Sequence, residues 1–140
     1  MKILFDQGTP APLRAYLGGH TVDTAYELGW AILRNGELLA AAEKDGYHLL
    51  VTTDQNLKYQ QNLRNKKLAV LVLRSSSWLR LKAHAEKITQ TIKTIKIGEY
   101  IEFDPEQLQP FSAIRQGRTN RPNLISIMLT LIFDPTIISW

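Results

Sequence analysis

The run LAVLVL, Leu68 to Leu73, constrains this chain more than any other stretch. Six consecutive apolar residues fit a strand buried on both faces, and such strands belong to parallel sheets covered by helices. Other segments agree with that reading. Lys2 to Phe5 is a short apolar run ending at Asp6, and His48 to Thr52 carries a continuous Leu-Leu-Val. Thr21-Val22 is a weaker strand, and Gly98 to Phe103 reads as a final one.

Helical patterns alternate with these strands. Thr9 and Pro10 predict an N-cap and first-turn proline, with Leu13, Tyr16 and Leu17 on one face before Gly18-Gly19 stops the helix. Ala25 to Ile32 reads as a short helical or irregular passage. Asn35 is then predicted to cap the helix GELLAAAEKDG, rich in alanine and leucine and ended by Gly46. Trp78, Leu81, Ala85, Ile88, Ile92 and Ile95 recur at helical spacing, which predicts one amphipathic helix of about five turns. The alternation predicts an α/β domain with a mainly parallel sheet of four or five strands and helices on both faces. It occupies residues 1–103. Residues 104–140 form an extension, with a polar stretch from Gln116 to Asn123 and an apolar run from Leu124 to Phe133.

Composition narrows the function classes. The chain has no cysteine, and His20, His48 and His84 lack zinc-type spacing, so thiolate and structural-zinc chemistry are set aside. The apolar run after Met1 is too short for a signal peptide and the C-terminal one about half a bilayer span, so a cytoplasmic protein without a membrane partner is expected. No G-x-S-x-G elbow, glycine-rich phosphate loop or dinucleotide fingerprint occurs. Charge is segregated: Lys58 to Lys96 holds ten Lys or Arg and one acid, Glu86. Such a block is either a solvated helix face or a phosphate-binding footprint.

Three acids point to one place. In a parallel sheet the ligand site lies beyond the carboxyl ends of the strands, where Asp6 and Asp54 fall. A crossover helix runs antiparallel to its strands, so Glu37, in the first turn after Asn35, belongs to the same rim. The three converge if the strands carrying Asp6 and Asp54 are neighbours. An all-oxygen cluster suits a hard cation, Mg²⁺ or Mn²⁺, able to polarise a phosphodiester. The simpler readings are a loop-starting role for each aspartate and a helix-dipole role for Glu37. Asn56 is a neutral fourth ligand or an N-cap for the following segment. Gln7, Gln55, Lys58, Gln61 and Arg64 are candidates for contacts to phosphate, sugar or base. Trp30 and Tyr59 are either stacking or packing aromatics.

The stretches DQGTP (Asp6 to Pro10), AYELGW (Ala25 to Trp30), NGELLAAAE (Asn35 to Glu43) and TTDQNLKYQQNL (Thr52 to Leu63) resemble a family of small bacterial PIN-like domain proteins. That family is related to VapC-type toxin ribonucleases and the Mut7-C RNase domain. The resemblance spans about the first 103 residues. It implies a three-layer α/β/α domain whose rim of acids binds Mg²⁺ or Mn²⁺ for RNA hydrolysis, with Asp6, Glu37 and Asp54 in the acidic positions. It also implies a toxin role, a cognate antitoxin partner and a homodimer. The chain departs from the pattern at Asp54-Gln55-Asn56, where related domains often carry D-x-D. One charge fewer weakens a second metal site. The alternative expectation is therefore a catalytically weak or inactive module that binds nucleic acid or a partner.

Overall fold

The computed structural model describes residues 1–55, Leu63 and residues 65–107. The chain divides into two units, Met1–Pro105 and Glu106–Trp140, and the account below concerns the first. Five strands form one sheet: β1 (Lys2–Phe5), β2 (Thr21–Thr24), β3 (Leu49–Thr52), β4 (Ala69–Leu73) and β5 (Tyr100–Phe103). Their spatial order is β2-β1-β3-β4-β5, and every pairing is parallel. The α/β reading of the sequence holds.

Burial follows the apolar runs. Every residue of β3 and β4 is buried, so both faces of the central strands are covered. Helix α1 (Asn35–Lys44) packs Leu38, Leu39 and Ala42 against Leu4, Leu50, Val70 and Val72. Each such leucine contributes about 1.5–3 kcal/mol through removal from water. Gly46 terminates the helix in the left-handed region, at φ 82°, where a side chain would be strained. The C-terminal end of α1 is tied to the amino edge of the sheet. Lys2 Nζ donates to the Asp45 carbonyl at 2.6 Å, and the Lys2 carbonyl accepts from His48 N at 2.8 Å. The start of α1 therefore faces the opposite, carboxyl edge.

Three local expectations are corrected. Ala11–Tyr16 is a 3-10 helix preceded by Pro10, and Thr9 does not cap it. The Thr9 hydroxyl is engaged elsewhere, lying between Asp6 Oδ1 and the Val51 carbonyl. Arg34 rather than Asn35 is the N-cap residue of α1. The long amphipathic helix is two: α2 (Trp78–Lys82) and α3 (Ala85–Thr94). Between them His84 N bonds the Leu81 carbonyl at 2.9 Å in a tight turn, and the His84 ring meets Phe103 edge-on, centroids 6.0 Å apart. Leu81, Ala85, Ile88 and Ile92 stay buried across the break, which is why the periodicity runs through it. No helix among the described residues is long and apolar enough to cross a membrane.

Candidate functional site

β1 and β3 are direct neighbours, with Phe5 opposite Val51. Asp6 continues β1 by one residue, its N–H donating to the Val51 carbonyl at 3.0 Å. Asp54 stands two residues beyond β3. The pairing that the acids required is thus present, and the Asp54 charge acts on the Asp6 carboxyl.

Asp6 is held by three donors. Its Oδ1 accepts from Gly8 N at 3.1 Å and from the Thr9 hydroxyl at 2.9 Å, and its Oδ2 accepts from the Thr52 hydroxyl. Thr52 is wholly buried, and its oxygen in turn accepts from Asp54 N at 2.9 Å. One threonine thereby links the carboxylate of β1 to the backbone that carries Asp54. A carboxylate offers about four acceptor positions, so three donors leave one for a further partner. Gly8 has a steric role as well: a Cβ there would run into the Thr53 hydroxyl.

Burial pushes the Asp6 carboxyl above the ordinary carboxylate range, the bonds from Thr52, Thr9 and Gly8 oppose it, and the Asp54 charge adds to the rise. Thr9 suits either protonation state. Its hydroxyl lies 2.9 Å from Asp6 Oδ1 and 2.8 Å from the Val51 carbonyl, and its single proton serves one at a time. With Asp6 ionised the proton points at the carboxylate. With Asp6 protonated on Oδ1, Thr9 accepts from it and donates to Val51.

The other candidates are distributed as follows. Glu37 is exposed in the first turn of α1, and its carboxylate accepts from Arg34 N at 3.5 Å, the helix-terminal role. Among the described residues no three His, Cys, Asp or Glu side chains gather closely enough to hold a metal ion. Gln7 and Gln55 are exposed beside Asp6 and Asp54. Asn56, Lys58, Tyr59, Gln61 and Arg64 lie outside the described residues. Trp30 packs: it joins the α1 side of the core and meets Tyr47 edge-on at 6.2 Å.

Sequence reasoning left Gly8, Thr9 and Thr52 without their part in the site. The usable signal was Thr52, a hydroxyl closing an otherwise apolar buried strand, since a buried polar group needs a partner.

No known protein decides the matter. The chain matches no family model, no curated protein and no solved structure.

The donor set still permits a chemical test. Two carboxylates, one half-buried and one exposed, repel unless a cation lies between them. Mg²⁺ is commonly held by one or two carboxylates and keeps several waters, so Asp6 and Asp54 fit a hard cation without a third acid. Zn²⁺ is a poorer fit, because the described rim offers it neither imidazole nor thiolate.

Proposed function

We propose that this protein is a metal-dependent ribonuclease of PIN-like type, with Asp6 and Asp54 holding Mg²⁺ or Mn²⁺. The observation that carries the proposal is the Asp6–Thr52–Asp54 linkage at the carboxyl edge of adjacent parallel strands. A bound divalent ion would polarise the phosphodiester and generate the attacking hydroxide. The chain's own contribution is positional. Gly8 N, Thr9 and Thr52 fix the direction of the Asp6 carboxylate, and Thr52 sets the backbone of Asp54 relative to it. The sequence resemblance supports RNA as the polymer, Asn56 as a neutral ligand, and a toxin role with a cognate antitoxin and a homodimer as the setting, while Glu37 keeps its helix-terminal role.

The test is cleavage of a mixed RNA pool by wild type and Asp54→Asn, each with Mn²⁺, Mg²⁺ or EDTA. Scission by wild type alone, and only with metal, is the expected result. Equal scission by the variant removes the site assignment. A second reading, a non-catalytic RNA-binding module, draws on Asn56 standing where related domains carry an acid. It requires salt-sensitive binding that persists in EDTA with no scission under any metal.

A further inference from the structure

The proposed site says nothing of how a strand would be held away from the cleaved bond. Beside the first turn of α2 the surface carries an aromatic pair. Trp78 opens α2 five residues beyond the carboxyl end of β4, and its ring lies 5.6 Å from that of Tyr16, tilted by 55°. Tyr16 ends the 3-10 helix that follows Asp6, and it is 44% exposed. Next to Trp78, Leu79 is 83% exposed. Core packing explains neither Tyr16 nor Leu79, since α2 buries Leu81 instead.

The surroundings carry positive charge. On α2 and the start of α3 Arg80, Lys82 and Lys87 are exposed, with Glu86 as the one acid of these two helices. Among the described residues, Lys82, Lys87 and Lys93 enter no ion pair. This contrasts with Arg74, which is bound to Glu102 at 2.9 Å. Aromatic rings beside a track of cations are the arrangement that single-stranded nucleic acid uses. Phosphates follow the charge, and unpaired bases stack on the rings.

We propose that Tyr16, Trp78 and the basic side of α2 and α3 form a binding surface for single-stranded RNA. Tyr16 and Trp78 take an unpaired base, and Lys82 and Lys87 take the flanking phosphates. The proposal rests on the reading of the chain as an RNA hydrolase. It adds a preference that the paired carboxylates do not supply: a duplex, whose bases already stack on each other, has nothing to offer the rings. An acidic protein segment would satisfy the lysines but would gain less from the aromatic pair.

The experiment is fluorescence anisotropy of a labelled single-stranded oligoribonucleotide of mixed sequence, with full-length protein in EDTA so that no strand is cut. Wild type, Tyr16→Ala, Tyr16→Phe and Lys82→Glu are compared, with a duplex of the same sequence as competitor. Tyr16→Ala should weaken binding about tenfold, in line with the loss of one stacked base. Tyr16→Phe should bind as wild type does, since it keeps the ring. Lys82→Glu should weaken binding and flatten its salt dependence. Tyr16 is exposed enough that Tyr16→Ala should fold, and circular dichroism of each variant checks this. Equal affinity of wild type and Tyr16→Ala, or equal competition by the duplex, overturns the proposal. Failure here with intact metal-dependent scission leaves the hydrolase standing. Ring-dependent binding without scission removes the hydrolase and retains the surface.

Discussion

The two edges of the sheet solve opposite problems. At the amino edge, Lys2 meets complementary partners. Lys2 Nζ reaches the Asp45 carbonyl and lies 4.3 Å above the Tyr47 ring, and Lys2 N donates to His48 Nδ1 at 2.9 Å. At the carboxyl edge, Asp6 faces hydroxyls, an amide and a second carboxylate, but no cation stands among its described partners. The first arrangement fastens the fold. The second buries a carboxylate at a cost, to which the neighbouring Asp54 charge adds, and a rim in that condition suits a ligand that brings its own positive charge.

That contrast is broken most directly by Asp54→Asn. If the carboxyl edge is the reactive one, the substitution should lower metal-dependent RNA scission by about a thousandfold, the scale of several kcal/mol of lost charge stabilisation. Its thermal unfolding without metal should be close to wild type, because Asp54 is exposed.

Thr52→Val is the next largest. It keeps the shape but strips partners from Asp6 Oδ2 and Asp54 N, and an unsatisfied buried group costs about 1–3 kcal/mol. Urea unfolding should show the loss, and a value near zero would mean that the linkage across β1 and β3 is not tightly made.

The pH dependence sharpens the same point. The folded-state pKa of Asp6 is raised above its ordinary value of 3.8, so the folded protein binds the proton more tightly than the unfolded chain. Stability contributed by this group is therefore present at low pH and is lost as pH rises from about 3.8 through the raised value. Urea unfolding of wild type against Asp6→Asn across that window should show the slope in wild type and its absence in the variant. Adding Mg²⁺ at neutral pH should recover part of the loss in wild type alone. The smallest effect belongs to the other edge: Lys2→Met should cost about 1 kcal/mol, through the lost charged hydrogen bond and ring contact, and leave RNA scission unchanged.

How far these features could be read in advance depended on whether a residue's role was local. The Leu68 to Leu73 run and the alanine-rich α1 announce themselves, because burial on two faces and helix propensity act within a few residues. The break at Ala83 and His84 was hidden for a specific reason: hydrophobic spacing reports which residues face the core, not which carbonyl each N–H bonds. Thr9 has the side chain of a helix cap and the position of one, yet its hydroxyl goes to Asp6 and to Val51, 42 residues away. Asp6 and Asp54 were recognisable as strand ends, but their adjacency depended on the sheet order. The part of Gly8 depended on the Thr53 side chain lying against it.

The separation of Asp6 and Thr52 by 46 positions also bears on when the proposed site could first exist. An all-parallel sheet has no local hairpin to start from, and its pairings wait on long chain closures. During synthesis β1 and β2 emerge first, while the strand destined to lie on the other flank of β1 is still inside the ribosome. Asp6 then has no second carboxylate beside it and no Thr52 to orient it. On the proposed ribonuclease reading, a growing chain is thus expected to be inert toward the RNA that encodes it until β3 has cleared the exit tunnel and docked.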